Sequence, residues 1–417
     1  MRTLIITATI LAPVAASAGG YVVPNSNPRD LALSGASVAD VDGPDAVTLN
    51  NAALAGPEGL GVSGGGQILS NRTDWSEPTI GSASIDNKIN TPPFLSVSYG
   101  QKLSGGRAWG AGVGFSVPAG GSLHWPKGWA GREYIQSVEQ RVFGIVAGAG
   151  FQVLPMLKLG VSYVRMQATE ELHQSLNYLD HQGDAGLAMS GGANSFGLGA
   201  EFRVPQIPLT VAATYTHSAK LKLNGHVHFE DVPPAFTPQI HDQTVSEELT
   251  IPNILNVAAA YEVMPHLKVM AGYTFERWTV YTDDTFVGGD GTFTVSVPRN
   301  YKNAHVIRLA GEWANVPFLP KLTLRAGILR SISDQPTDTV SPSLTDASSW
   351  APSIGAGFDL LPNLRIDAGY QHAFFDNVTA DQMAAMKGDI LGGTYKTQVD
   401  LFSVGVNWRT DLAFLKR

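Results

Sequence analysis

Tyr261-Glu262-Val263-Met264-Pro265-His266-Leu267-Lys268-Val269-Met270-Ala271-Gly272-Tyr273-Thr274-Phe275-Glu276 carries the pattern from which the rest of the chain is read. After Pro265, Leu267, Val269, Ala271, Tyr273 and Phe275 fall on one face of an extended strand, and Lys268, Met270, Gly272, Thr274 and Glu276 on the other. The turn recurs twice, as Val153-Leu154-Pro155-Met156-Leu157-Lys158-Leu159 and as Leu360-Leu361-Pro362-Asn363-Leu364-Arg365-Ile366. Each copy joins two runs of period two, so each predicts a tight reversal between neighbouring antiparallel strands.

The alternation runs from about residue 60 to residue 408 without a helical block or a linker, which predicts one continuous all-β unit. Phe196, Leu198, Ala200 and Phe202 oppose Ser195, Gly197, Gly199, Glu201 and Arg203, and Leu364, Ile366, Ala368 and Tyr370 oppose Arg365, Asp367 and Gly369. A soluble sandwich also alternates. Its wet face, however, carries Lys, Glu and Thr rather than glycine, and its strands average about five or six residues. Runs of about ten residues with one apolar face are what a tilted membrane strand requires. A charged fraction of 15% and 45 glycines in 417 residues agree with this, and aromatic residues near strand ends, such as Tyr163, Tyr215, Tyr273 and Tyr370, fit interfacial girdles. The expected fold is all-β, a transmembrane antiparallel β-barrel of 14 strands.

Connections alternate in length. Short ones are expected at 103–106, 154–157, 205–208, 264–266, 316–320 and 361–362, and long ones at 71–92, 118–137, 172–190, 225–244, 282–300, 334–349 and 376–396. Outer-membrane barrels keep short turns on the periplasmic side and long loops outside, which orients the chain. Ahead of the strands, Arg2, an apolar stretch from Leu4 to Leu11 and Ala16-Ser17-Ala18 read as a secretory signal over 1–18. The apolar run is too short to span a bilayer. Residues 19–57 do not alternate, yet are apolar enough to need a packing surface, and the lumen of the barrel over 58–417 is the one available. They are read as an internal plug, because a barrel of this size is wide enough to leave a channel if unfilled.

The start Ala18-Gly19-Gly20-Tyr21, the run Leu33-Ser34-Gly35-Ala36-Ser37-Val38-Ala39-Asp40 and the run Asp45-Ala46-Val47-Thr48-Leu49-Asn50-Asn51-Ala52-Ala53 resemble the plug motifs of the FadL family of outer-membrane transport proteins, which includes long-chain fatty-acid and toluene channels. The second run is similar to the family's Asp-Ala…Asn-Pro-Ala signature, with Ala52 where the family has Pro, and the nine residues after Trp408 also depart from the family's terminal aromatic. The resemblance implies localisation in the bacterial outer membrane and passive uptake of hydrophobic compounds, foremost long-chain fatty acids. Cargo would be captured by apolar outer loops, held in a lumen pocket, and released by plug movement through a lateral opening beside a kinked third strand. Asn50, Asn51, Ala52 and Ala53 are the implied plug residues. The alternatives are uptake of aromatic or alkane hydrocarbons, and a diffusion porin for polar solutes.

Candidate ligand-binding residues follow from position. Trp125, Trp129, Leu179 and Phe236 stand in loops that carry more large apolar groups than water-facing loops usually do; such groups either capture cargo or pack together as a lid. Arg308 and Arg325 lie on adjacent strands near mid-barrel, where a cation meets either a carboxylated head group or Glu312 in a lumen ion pair. Gly110, Gly112 and Gly114 permit a bend in the third strand. His226, His228 and His241 share one long loop without metal-ligand spacing, Cys is absent, and no catalytic triad can be placed, so no enzyme, metal or cofactor is expected. A net charge of -8 with no basic tract argues against nucleic acid. The expected partners are a hydrophobic small molecule, outer-membrane lipid and lipopolysaccharide, with the chain acting as a monomer.

Overall fold

The computed structural model describes residues 27–41, 43–86, 88–178, 181–333, 335–388 and 390–410. The leader over 1–18, the start Ala18–Tyr21 and Leu179 lie outside the described residues. Fourteen antiparallel strands close into a barrel. They are β1 Gly59–Glu77, β2 Pro93–Lys102, β3 Ala108–His124, β4 Ser137–Leu154, β5 Leu157–Asn177, β6 Gln182–Arg203, β7 Leu209–Thr216 with Ala219–Glu230, β8 Gln243–Ile251 with Ile254–Met264, β9 Leu267–Glu276 with Asp283–Gly288, β10 Thr294–Pro298 with Ala304–Trp313, β11 Leu322–Ile332, β12 Ser349–Leu361, β13 Leu364–Phe375 and β14 Thr394–Thr410. Each pairs with the next, and β1 pairs with β14 from Leu60↔Thr410 to Ser76↔Thr394, so no edge is left open.

The three sequence repeats fold alike. Each is a two-residue turn preceded by a bulge, with register shifts between Gln152 and Leu154, Glu262 and Met264, and Asp359 and Leu361. The extra residue in each, Val153, Val263 or Leu360, stays on the apolar outer surface, exposed by about half. In the lower part of the barrel the apolar alternate residues face outward. Val161 is 58% exposed, Leu198 48%, Ile307 54% and Ile354 62%, the values of side chains that meet lipid rather than core.

Most of the expected long loops start later than the alternation suggests. β1 continues to Glu77, β5 and β6 enclose only a short connection where 172–190 reads as loop, and much of 282–300 is a hairpin. The cause is an inversion of polarity along each strand. On β5, Leu159, Val161 and Tyr163 face outward, whereas further up Met166, Ala168, Leu172 and Leu176 face inward and Thr169 and Glu171 outward. Above the membrane the ladder goes on in water with its apolar face turned into the barrel, so a search for lipid-facing residues stops too early.

The inward apolar faces of these extensions meet in a core that includes Trp75, Leu123, Trp125, Trp129, Leu172, Leu187, Leu223, Leu249, Trp278 and Tyr395. Val161→Arg, at the lipid-facing middle of β5, is expected to destabilise the barrel by about 2–4 kcal/mol, and Thr169→Arg, above the belt, by about 0–1 kcal/mol; urea unfolding in lipid vesicles measures both.

Candidate functional site

The lumen is occupied by the N-terminal segment. Asn27 caps α1, Pro28–Ala32, by accepting the Asp30 N–H at 3.0 Å, with Pro28 in the first turn where its missing N–H costs nothing. Ser34 and Gly35 take left-handed conformations, which turns the chain into the 3-10 helix Ala36–Ala39. A second short helix, α2 Ala46–Leu49, leads to a 3-10 turn, Asn51–Ala55. Together these pieces touch the wall nearly all the way round: α1 lies on β11 to β14, residues 36–39 on β7 to β10, and residues 51–55 on β2 to β6.

The wall is shaped to receive them. Gly59, Gly100, Gly110, Gly150, Gly160 and Gly199 are register partners across β1 to β6, a continuous row with no inward side chains. Residues 51–57 lie directly on this row. A β carbon on Gly110 would come within 2.0 Å of the Leu54 carbonyl, one on Gly150 within 2.4 Å of the Asn51 carbonyl, and one on Gly160 within 2.4 Å of the Ala52 nitrogen. The inward glycines therefore serve close approach of two backbones. Asn50 spans the same join. Its amide donates to the Val38 carbonyl at 3.0 Å, and its oxygen accepts the Ala52 N–H at 3.2 Å. That N–H is one a proline at position 52 would lack.

A chain of ion pairs fixes the segment to the wall near the periplasmic turns. Lys268 holds Asp40 at 2.7 Å; Arg29 bridges Asp40 at 2.8 Å and Glu312 at 2.8 Å; Arg325 joins Glu312 at 2.6 Å to Asp367 at 2.7 Å; and Arg365 closes on Asp367 at 3.1 Å. Of the two expectations for Arg325, head-group ligand or partner of Glu312, the side chain makes the ion pair. With 1% of its side chain exposed and carboxylates on both sides, it is a strut of the wall. Asp45 accepts from Asn27 at 2.5 Å and Ser63 at 2.9 Å, and burial pushes its carboxyl up to about 6; burial also raises Asp30.

Above the segment lies a cavity of about 330 Å³, within the range of small-molecule sites. Its walls combine apolar residues such as Val47, Val146, Val164, Met166, Val306 and Leu401 with many polar ones, among them Ser162, Thr214, Asn256 and Gln371, although apolar surface predominates. Arg308 is its cation. The guanidinium donates to Thr274 and leaves its Nε without a hydrogen-bond partner, while Glu276 and Asp30 are the charges it faces. Glu312, the alternative partner, is taken by Arg29 and Arg325. Asn50 and Asn51 also line the cavity; Ala52 and Ala53 are buried beneath it against the wall. At one side the cavity reaches Ser116, Val117 and Pro118, where β3 shifts register between Ser116 and Ala119 and has passed the last residue paired to β2, Phe115. The bend falls above the glycines at 110–114.

Toward the outer end the large loop aromatics are buried. Trp125 and Trp129 are 4% and 5% exposed and stacked at 4.2 Å, with Trp75 edge-on to Trp129 at 5.7 Å. They lie under the surface, because rings this large are stabilised by mutual burial. Phe236 packs on Tyr178 at 5.1 Å in a smaller cluster with Leu176 and Ala185. His228 and His241 pair with Asp242 and Asp290, and no group of three metal-ligating residues is present among the described residues.

Missed from sequence were Arg29, Asp40, Asp30 and the glycine row. Counting outward from the Pro155-Met156 turn sets Phe151 opposite Gly160; only the bulge at Val153 brings Gly150 opposite Gly160, so the row could not be counted from sequence. Glu312→Gln leaves Arg29 and Arg325 without their shared counter-charge. The expected loss is about 3–5 kcal/mol, seen as a lowered Tm together with faster proteolysis of residues 27–57. Gly160→Val is expected to lift the segment off the row and raise single-channel conductance in planar bilayers.

A family model described as outer membrane protein transport protein (OMPP1/FadL/TodX) matches residues 9–410. A 47 kDa outer membrane protein of Pasteurella multocida is 24% identical over 163 residues, 39% of this chain and 35% of that protein, so the match spans about a third of the curated relative. Among solved structures, a FadL homologue of Pseudomonas aeruginosa superposes with a TM-score of 0.81 at 18% identity, covering 94% of this chain and 100% of that one. The toluene transporter TbuX of Ralstonia pickettii gives 0.65 at 16%, covering 91% and 97%, and the toluene transporter TodX of Pseudomonas putida 0.68 at 16%, covering 92% and 97%. With its closed 14-strand barrel and its match along almost the whole sequence, this chain belongs to the FadL/TodX family of outer membrane transport proteins.

Proposed function

We propose that the protein takes up long-chain fatty acids passively across the outer membrane. Cargo gathers at the apolar outer loops, passes between the loops around Trp125, Trp129 and Phe236, and settles in the lumen cavity. Movement of the plug, residues 19–57, then lets it leave sideways at the β3 bulge. The observation that carries this reading is the cavity itself: a mostly apolar chamber with one guanidinium on its wall, set between the N-terminal segment and the bend at Pro118. An unpartnered N–H on a buried guanidinium favours an anionic head group, since ion-assisted hydrogen bonds are the stronger kind.

A second reading has its own support. Asp30 and Glu276 give Arg308 two carboxylates to face, which weakens its pull on a third, and solved relatives include toluene transporters and a monoaromatic hydrocarbon channel. A neutral hydrocarbon would then be the cargo.

Arg308→Ala separates the two. For fatty-acid transport, oleate binding to the purified barrel weakens about tenfold or more while toluene binding is unchanged, as expected for loss of a charge-assisted contact of roughly 1.5–3 kcal/mol. Equal effects on both ligands, or none on oleate, would favour the hydrocarbon.

A further inference from the structure

We propose that the outer surface of β2 to β7 holds one phosphorylated, acylated glycolipid of the outer leaflet, of the lipid A kind, with its phosphate on Arg165 and Lys222 and its acyl chains in the groove below.

The groove is on the lipid side, a shallow depression of about 740 Å³ against Val97, Ala111, Val113, Ala147, Val161 and Tyr163. Small residues at 111, 147 and 149 recess the surface between larger neighbours, which gives an acyl chain more contact than a flat wall would. Tyr163 ends the groove at its upper rim and donates to the side-chain oxygen of Asn194 at 2.7 Å. Two residues further along the same face, about 6.6 Å higher by the strand rise, is Arg165, which donates to the same Asn194 oxygen at 3.1 Å.

Beside Arg165 the surface has a dip at Gly192. Gly192 is the register partner of Gln167 on one side and of Lys222 on the other. A β carbon there would come within 3.0 Å of Arg165 Nη2 and 2.9 Å of Gln167 Oε1, so these two side chains lean over the bare glycine. Lys222 is exposed across the dip, and Lys220 stands two residues away on the same strand face, paired with Glu248 at 2.6 Å. Arg165 and Lys222 form no ion pair among the described residues; Glu248, the register partner of Lys222, is taken by Lys220. Two cations around a floor without a side chain, just above an aromatic belt, match a phosphate attached to a sugar at the membrane surface. Basic pockets at a membrane surface hold anionic lipid headgroups in other membrane proteins.

The test uses the full-length barrel in detergent, with diphosphoryl lipid A and phosphatidylglycerol as probes in native mass spectrometry and microscale thermophoresis. The charge reversal Arg165→Glu with Lys222→Glu is expected to weaken lipid A binding at least tenfold, and heat-modifiable gel migration checks that the barrel still forms. Val113→Trp, which fills the groove and leaves the cations alone, is expected to weaken lipid A several-fold. Unchanged lipid A affinity in the double variant would overturn the proposal. So would phosphatidylglycerol binding as tightly as lipid A, because the site would then read only negative charge.

Discussion

In hydrocarbon, a backbone N–H or C=O without a partner costs several kcal/mol, so a sheet that crosses a membrane must have no edge. In this chain the requirement is met by the pairing of β1 with β14, which runs the full length of both strands. The other features follow from that closure. A closed barrel of this size has a lumen too wide for strand side chains alone to fill. Here the wall carries glycine at its inner face on β1 to β6, and a separate piece of chain lies in the space. Closure thus divides the wall's residues by face: lipid chooses the outer ones, and residues 27–57 choose the inner ones.

The inner choice has two physical parts. On β1 to β6 it is steric: the row from Gly59 to Gly199 brings wall and segment into backbone contact, so any larger residue would displace the segment. On β9 to β13 it is electrostatic: the alternating chain from Lys268 to Arg365 gives each buried charge an opposite neighbour, and the segment contributes Asp40 and Arg29 to its middle. Packing makes the glycine side adjustable, since sliding along a smooth row breaks few contacts. Removing Arg29 from Glu312 would strand buried charges, which makes the ionic side the fixed one. The β3 bulge lies on the glycine side, where the segment meets the wall mainly by close packing, with the Asp45–Ser63 hydrogen bond beside it.

Much of this was legible in the order of residues. Period-two alternation and the three Pro turns give strand number, direction and lipid face, because a membrane strand is read by one apolar side chain in two. Three things were not legible. The extensions above the membrane invert their polarity, as at Tyr163 and Met166, and an expectation tuned to lipid-facing residues takes them for loops. Trp125 and Trp129 have the composition of an exposed patch but are buried against Trp75, a partner some fifty residues away whose approach no local pattern announces. Arg325 looks like Arg308 in sequence, both inward on neighbouring strands, and only the register shows that Glu312 and Asp367 flank one while a cavity borders the other. Register also turns scattered glycines into a row.

On the proposed route, the segment inside the barrel must move for cargo to pass. The chain contains no cysteine, so a single engineered pair can be read without interference. A β carbon at Gly148 would lie 3.5 Å from that of Asn51, within the range a disulfide spans, which makes Gly148→Cys with Asn51→Cys a lock between wall and segment. Uptake of labelled oleate and toluene by cells carrying this variant should fall to background when the pair is oxidised and recover on reduction. Uptake that continues undiminished with the disulfide formed would contradict the account.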